Sequence, residues 1–302
     1  MPVRPAVTDG GLETDLIFHS GVDLPYFAAF PLVETDEGRV LLERYFAGYA
    51  AIAARAGVPV LLETPTWRAS SDWGEKLGYS PAALARLNES SVELLAGIGE
   101  RHADTEVRLG GTVGPRGDGY RPEHLMTADE ATAYHRPQVD AFARAGVDVV
   151  TALTLTDTGE AIGFVRAARE AGVPVAVSFT VETDGRLPAG DTLAHAIGVV
   201  DDAGGPDYYL VNCAHPTHVG AALTEPGGWQ ERVAGLRCNA STSSHAELDE
   251  AEELDEGDPR QLAADLDQLR PAFPNLAIVG GCCGTDARHV ASMWQVEQPV
   301  PA

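Results

Sequence analysis

The sequence predicts one (β/α)8 TIM barrel, a single domain over residues 1–302. Eight short β-rich segments alternate with helical patterns along the chain, and single α/β barrels routinely have this length. Three helical patterns also end alike, with Ala-Gly-Val at residues 56–58, 145–147 and 171–173, where glycine ends a helix and a buried strand begins. A doubly wound sheet is the alternative, but no predicted strand is followed by a GxGxxG or GxxxxGKS/T phosphate loop.

The predicted strands are rich in apolar and β-branched residues, and each ends where glycine, proline or polar residues begin. They are Ala6–Asp9, Val58–Glu63, Val107–Thr112, Val147–Leu153, Val173–Thr180, Tyr208–Cys213, Gly235–Asn239 and Leu276–Gly280. The carboxyl ends of barrel strands carry the active site in folds of this kind. Residues at these ends are therefore the candidate functional residues.

Two long helices are predicted from apolar residues spaced three and four apart. The first covers Asp36–Ala56 and places on one face Val40, Leu41, Tyr45, Tyr49 and Ile52. The second begins at Pro81, because proline is favoured in the first helical turn, and reaches about His102.

The chain is strongly acidic, with 45 acidic and 21 basic residues, one of them the single lysine Lys76, and a net charge of -24. Such a surface repels phosphate, which argues against nucleic acid and anionic membrane as partners. No segment has the roughly 18 apolar residues of a membrane span, and the first residues lack an apolar signal core. We expect a cytoplasmic protein with small-molecule substrates, and a homo-oligomer is compatible with the sequence.

One segment concentrates the acidity: residues 247–258 contain eight acidic side chains among twelve. A solvated helix or loop after the seventh strand is the simpler interpretation. A site for a cation or a basic partner is the alternative.

The four cysteines are too few for a disulfide scaffold of this size, and three of them, Cys213, Cys282 and Cys283, fall at strand ends. Adjacent strand residues point to opposite faces, but the glycines around the pair at 282 and 283 allow the chain to leave β geometry there. Barrel curvature can bring Cys213 to the same point. Three thiolates with an open fourth position are typical of a catalytic zinc site. Small core residues or a vicinal disulfide are the alternatives.

The chain resembles the homocysteine S-methyltransferase family, the zinc-dependent barrels that include betaine-homocysteine methyltransferase and the S-methylmethionine-using enzymes. The shared motifs follow in order over nearly the whole length: DGGLET at residues 9–14, GP at 114–115, AGVD at 145–148, VNC at 211–213 and GGCCG at 280–284. The resemblance implies methyl transfer to a thiol, most simply homocysteine to give methionine. It also implies that Cys213, Cys282 and Cys283 are catalytic ligands of Zn²⁺ and that Asp9 helps to hold the amino group of homocysteine.

The residues are consistent with this chemistry. A free thiol is mostly protonated at neutral pH, and zinc would turn it into the nucleophilic thiolate. A sulfonium or quaternary ammonium donor needs no protonated leaving group and suits a negative site with aromatic faces. Trp67, Trp73 and Tyr120 are candidates for those faces, although packing is the simpler explanation for aromatic residues there.

Two strand ends depart from the family pattern. The fourth strand normally ends in Phe-Glu-Thr, whose glutamate pairs with the homocysteine amino group, and this chain has Leu153 at that place. The second strand carries Glu63 where a Thr/Asn-rich run is usual. Glu63 supplies the missing carboxylate in one interpretation, and the acceptor is another thiol or soft nucleophile in the other. We also expect Thr154 and Asn212, at their strand ends, to contact substrate.

Other candidates carry less weight. His215 and His218 follow Cys213 with Cys-x-His-x-x-His spacing, but loop residues that orient or line the pocket are the simpler interpretation. Cys238 is predicted to be a core thiol. Two other function classes remain: a zinc hydrolase, which would usually rely on histidine and carboxylate ligands, and a non-catalytic zinc- or thiol-binding barrel, which the Leu153 departure suggests.

Overall fold

Eight parallel strands close into a barrel in chain order in the computed structural model, which describes residues 3–120, 125–224, 227–251 and 253–298. Each strand pairs with the next one along the chain, and the eighth pairs with the first. The strands are β1 Ala6–Thr8, β2 Val60–Glu63, β3 Val107–Val113, β4 Val149–Leu155, β5 Val175–Phe179, β6 Tyr208–Ala214, β7 Val233–Cys238 and β8 Ile278–Gly281. The predicted barrel and its eight strands are confirmed.

Helices surround the barrel and connect its strands. The α-helices are α1 Leu12–Thr14, α2 Asp36–Ala56, α3 Ser71–Lys76, α4 Pro81–Arg101, α5 Ala128–Ala145, α6 Thr158–Ala171, α7 Leu193–Asp202, α8 Pro216–Ala221, α9 His245–Asp249, α10 Pro259–Leu269 and α11 Ala287–Met293. A π-helical turn, Asp15–His19, continues α1, and 3-10 turns cover Pro25–Phe27, Phe30–Glu34, Ala222–Thr224, Gly228–Arg232 and Arg270–Ala272. No helix in the described ranges combines the length and apolar character needed to cross a bilayer.

Local sequence signals set the ends of the long helices. Thr35 caps α2 by accepting a hydrogen bond from the backbone N–H of Gly38, and Ser80 caps α4. Gly57, Gly146 and Gly172 end α2, α5 and α6 in the left-handed conformation, as the three Ala-Gly-Val sequences predict.

One detail of α2 was predicted wrongly. Val40 is 63% exposed, and the buried face of the helix includes Leu42, Phe46 and Ala53 beside the predicted Tyr45, Tyr49 and Ile52. The buried stripe lies one position further along the helix because α2 packs against the 3-10 turn Phe30–Glu34 as well as against the barrel.

The interior of the barrel has two layers, because alternate residues of each strand point inward. The lower layer is an apolar cluster of Ala6, Leu61, Val149, Ala176, Leu210 and Ile278. Two residues further along five of these strands, toward the carboxyl ends, the same face carries a polar side chain, and β7 adds an arginine. These residues are Thr8, Glu63, Thr151, Ser178, Asn212 and Arg237. This polar layer is the floor of the site.

Candidate active site

Local backbone irregularities bring the three cysteines together. Cys213 has a positive φ of 53°, and the register between β6 and β7 shifts around it. This bulge turns its side chain toward the barrel mouth, in a conformation that is costly for a residue with a Cβ atom. Cys282 and Cys283 follow β8 directly and enter a turn that Gly284 completes at a φ of 77°. The predicted break in β geometry after the glycines is present.

The sulfur atoms of Cys213, Cys282 and Cys283 all lie within 4.8 Å of one another. The sulfur atoms of Cys213 and Cys282 lie 2.50 Å apart, and Cys283 is bonded to neither of them. The adjacent residues Cys282 and Cys283 therefore do not form the vicinal disulfide considered above. Burial raises the pKa of the Cys283 thiol to about 11, so the thiol alone stays protonated at neutral pH.

Cys238 lies outside this cluster. Its side chain is 1% exposed in the core between barrel and helices, and burial raises its pKa to about 12. The prediction of a core thiol is confirmed.

Asn212 and Thr154 form a hydrogen-bonded pair next to the cysteines. Asn212 accepts a bond from the backbone N–H of Thr154 at 2.8 Å, and its amide donates to the Thr154 hydroxyl at 2.8 Å. The Thr154 hydroxyl lies 3.8 Å from the sulfur of Cys213, and the Asn212 amide lies 3.9 Å from that of Cys282. Thr154 also has a positive φ of 64°, at a shift in register between β4 and β5. Both residues line the cavity, and their polar groups are engaged with each other and with the cysteines.

A buried guanidinium joins the two predicted carboxylates. Arg237, on β7, donates from Nη2 to Asp9 Oδ1 at 2.6 Å and from Nη1 to Glu63 Oε2. Tyr45 and Thr8 donate further hydrogen bonds to Asp9. Burial raises the pKa of Asp9 and of Glu63, and the positive charge of Arg237 opposes both shifts. Two carboxylates thus share one cation at the floor of the site.

Sequence reasoning missed Arg237. The signal was present, because a charged residue in the middle of an apolar strand of a closed barrel must point inward or outward into a core, and it needs a partner in either place. Its partners are 228 and 174 residues away in the chain, so only the fold identifies them.

A cavity opens above this floor. Its inner part, of about 70 Å³, is lined mainly by residues from seven strand ends and from α1: Asp9, Gly10, Gly11, Leu12, Glu13, Thr14, Phe27, Glu63, Thr64, Trp67, Thr112, Tyr120, Leu153, Thr154, Asn212, Cys213, Arg237, Cys282 and Cys283. Its outer part, of about 390 Å³, shares Thr14, Phe27, Trp67, Tyr120 and Cys283 with the inner part. All seven predicted site residues line the inner part.

The three candidate aromatic residues separate into two groups. Trp67 and Tyr120 line both parts of the cavity. Trp73 lines neither part, because its ring packs against the guanidinium of Arg68 at 4.1 Å and the ammonium of Lys76 at 3.9 Å. The packing explanation is therefore right for Trp73. Arg68 also covers the ring of Trp67 at 4.1 Å.

His245, at the start of α9, was a second omission of the sequence reasoning. Its ring stacks on Tyr120 with centroids 4.0 Å apart, and its Nε2 bonds to the backbone oxygen of Cys213 at 2.6 Å. Its Nδ1 contacts the Glu182 carboxylate at 2.9 Å. This histidine therefore connects α9 to the cysteine cluster. It stands alone in the sequence, outside any metal-binding or catalytic motif, so the sequence does not indicate its place in the site.

His215 and His218 serve α8 instead of the cysteine cluster. His215 caps the helix through Thr217, and His218 bonds to the backbone oxygen of Thr242 at 3.0 Å. Within the described ranges, the group of potential metal ligands around Cys213 contains no histidine. Neither histidine is among the residues that line the two parts of the cavity, so the structure shows them as hydrogen-bonding partners of α8 and its neighbouring loop and not as pocket residues.

The acidic segment 247–258 forms the rim of the outer cavity. Its described residues are mostly exposed, as the solvated interpretation predicts, while Glu252 lies outside the described residues. Asp249, Glu253 and Asp255 line the cavity opening.

Comparison with known proteins identifies the family. The model of the family described as homocysteine S-methyltransferase matches residues 6–296. The chain belongs to the homocysteine S-methyltransferase family. Two curated relatives carry that name: a protein of Escherichia coli, 27% identical over 94% of this chain and 93% of its own length, and YbgG of Bacillus subtilis, 25% identical over 72% of each. The chain is accordingly an S-methyltransferase, as the resemblance implied.

A solved structure supports the fold assignment. The metallated form of the homocysteine methyltransferase MmuM from Escherichia coli superposes with a TM-score of 0.78 at 22% identity, covering 97% of this chain and 96% of that one. This likeness confirms the (β/α)8 barrel of the homocysteine S-methyltransferase family over nearly the full chain.

Proposed function

We propose that this protein transfers a methyl group from a small sulfonium or quaternary ammonium donor to the thiol of homocysteine, with zinc held by Cys213, Cys282 and Cys283. One observation carries the proposal: three cysteine sulfurs converge within 4.8 Å beside an acidic cavity, in a chain of the homocysteine S-methyltransferase family. Its partners would be two small molecules, an amino-acid thiol and a methylated cation.

The donor set fits zinc. Thiolate sulfur is a preferred zinc ligand, and three protein ligands leave the fourth position for a substrate. When bound, zinc would supply the positive charge that keeps the cysteines and the acceptor sulfur deprotonated at neutral pH. Histidine and carboxylate ligands typical of a zinc hydrolase are absent from this group of side chains, within the part of the chain that the structure describes.

We assign the polar residues two tasks. Thr154 and Asn212 act on substrate indirectly, since each contacts a cysteine sulfur and can hold it in one orientation. Asp9 and Glu63, with Arg237 between them, leave the floor with one net negative charge, which favours an acceptor that carries an ammonium group. Glu63 is already paired with Arg237 through Oε2, so we assign it a role through its charge.

The donor would enter through the outer cavity. Trp67 and Tyr120 line the passage between its two parts, and the acidic rim attracts cations. In the transfer, the new bond forms between the acceptor sulfur and the methyl carbon as the bond from that carbon to the cationic sulfur or nitrogen breaks. The electron pair of the broken bond stays on the leaving atom, which departs neutral. The residues need to align the two groups and exclude water, and no proton has to be supplied to the leaving group.

A matrix of thiols and donors tests the proposal. Reduced, zinc-loaded protein is incubated with homocysteine, cysteine, 2-mercaptoethanol or 4-mercaptobutanoate, each with S-methylmethionine or betaine, and products are read by mass spectrometry. We expect methionine from homocysteine with at least one donor, faster than methylation of the other thiols. Methylation of another thiol but not homocysteine would refute homocysteine as the acceptor. If no pair gives a product, the proposed methyl transfer is refuted and the alternative of a non-catalytic zinc- or thiol-binding barrel is supported.

A further inference from the structure

We propose that Glu13 binds the ammonium group of the acceptor amino acid and so selects it. The inference rests on the proposed function and gives one more residue of that same site a role. It is drawn from the distribution of charge around the inner cavity, where Glu13 differs from the two acidic residues already described.

Glu13 belongs to the part of the cavity wall that α1 contributes. It occupies the first turn of this helix, directly after the glycines at 10 and 11, and its side chain lines the inner cavity together with Cys282 and Cys283. Its negative charge contributes to the raised pKa of the Cys283 thiol, which places the two groups within electrostatic range.

The carboxylate of Glu13 has no side-chain partner. It receives a hydrogen bond from its own backbone N–H, and no other described residue bonds or ion-pairs with it. Its side chain is partly buried and lines the inner cavity, so a bound substrate can reach the carboxylate. A partly buried carboxylate of this kind is costly unless a cation completes it.

Two arginines lie within electrostatic range of Glu13, and neither forms a hydrogen bond or ion pair with it. Arg237 donates to Asp9, Glu63 and the backbone oxygens of residues 10 and 281. Arg68 donates to the backbone oxygen of residue 117 and packs its guanidinium over the rings of two tryptophans. The lining of the inner cavity includes the three carboxylates of Asp9, Glu63 and Glu13 and one guanidinium, that of Arg237. An ammonium group with three N–H donors would reduce the excess and pair directly with Glu13.

The opposite wall explains why this cation would come to Glu13. Leu153 is 7% exposed and lines the cavity at the place where the family pattern has a glutamate. Its side chain accepts no hydrogen bond, so a carboxylate for the ammonium group must come from another element. Burial raises the pKa of Glu13 to about 7, as expected for a carboxylate that lacks its cation.

The test compares two acceptors that differ only in the amino group. Homocysteine and 4-mercaptobutanoate have the same thiol and carboxylate, and only homocysteine has an ammonium group. For Glu13→Gln we expect the KM and the calorimetric Kd of zinc-loaded protein for homocysteine to rise about 10- to 100-fold, the factor for one charge-assisted hydrogen bond. The kcat with homocysteine and all values for 4-mercaptobutanoate should change less than about threefold.

Two further variants separate the role of Glu13 from a general loss of charge. Glu231→Gln removes one exposed carboxylate just before β7, at the opposite end of the barrel. It should change neither the KM nor the Kd for either acceptor. Leu153→Glu in the Glu13→Gln background restores a carboxylate on the other wall and should recover at least tenfold in homocysteine affinity.

Equal losses for both acceptors, or none for homocysteine, would overturn the role of Glu13. These outcomes leave the proposed function intact as long as the wild type methylates homocysteine. If the wild type neither binds nor methylates homocysteine, the proposed function fails and the role of Glu13 fails with it.

Discussion

Arg237 donates a hydrogen bond of 2.6 Å to Asp9 across the inside of the barrel, and both side chains are at least 94% buried. The same guanidinium also pairs with Glu63. Three charged groups from β7, the end of β1 and β2 are thus fixed in one layer, directly below the cysteine cluster. The three charges at the floor of the site therefore depend on one another, and removing one of them leaves the others buried without their partner, which lowers the free energy of unfolding.

Replacing Arg237 with methionine should destabilise the protein severely. Two buried carboxylates would lose their cation, and breaking a buried ion pair from one side typically costs 3–5 kcal/mol. We expect a fall of about that size in the free energy of unfolding, measured by urea denaturation at pH 7.5. Arg232→Met is the matched control, because Arg232 forms a partly exposed pair with Asp201 and exposed pairs contribute about 1 kcal/mol or less. Equal, small losses in both variants would contradict the prediction.

A single methyl group at residue 11 should disturb the metal site. A Cβ atom on Gly11 would lie 2.4 Å from the backbone oxygen of Cys282, so the turn that carries the cysteines must move. Gly11→Ala should therefore bind less than about half the zinc of the wild type in metal analysis after dialysis. In Gly48→Ala, on α2, the new Cβ meets no atom within 4 Å, and zinc content should be unchanged while stability rises by up to about 1 kcal/mol. Full zinc content in Gly11→Ala would show that the turn adapts.

The four cysteines should divide sharply by their role. Cys213→Ala, Cys282→Ala and Cys283→Ala each remove one of the three clustered sulfurs, and we expect zinc affinity to fall by more than roughly 100-fold. Substituting a residue that only supports a metal ligand already lowers metal affinity by roughly 10- to 100-fold, and losing a ligand should cost more. Cys238→Ala removes a thiol from the core behind β7 and should keep full zinc content. Competition with a chromogenic chelator under reducing conditions measures all four. Unchanged zinc affinity in Cys283→Ala would refute the ligand set.

The fold could be predicted from the sequence because its signals are local. Apolar strands of three to seven residues, capped helices and Ala-Gly-Val helix ends recur with the spacing of a β/α unit, and each can be recognised without knowing the rest of the chain. The error at Val40 has a tertiary cause, since α2 packs against α4, α11 and the first two strands as well as against the adjacent 3-10 turn Phe30–Glu34.

The site could be predicted only in part for the same reason. Cysteines next to glycines at strand ends signal a metal site within one motif, so Cys282 and Cys283 were recognisable. The positive φ of Thr154 and Cys213 has no sequence signal, because neither residue favours that conformation. The pairing of Glu63 with Arg237 joins residues 174 positions apart, and it shows that Glu63 is already engaged by a protein cation.

Glu13 should make stability depend on pH. In the unfolded chain its carboxyl titrates near 4.5, and burial raises its pKa in the folded protein to about 7. The folded state therefore holds a proton that the unfolded state releases between these values, so stability falls as the pH rises from about 4.5 and the loss is complete above about 7. Glu13→Gln lacks this loss. We expect metal-free Glu13→Gln to be more stable than metal-free wild type by roughly 1–3 kcal/mol at pH 8 and to show little difference at pH 4.5, in urea unfolding curves. Because Asp9 and Glu63 titrate in both proteins, only the difference between the two curves reports on Glu13. A difference that stays constant with pH would mean that Glu13 is not an unpaired carboxylate in the folded protein.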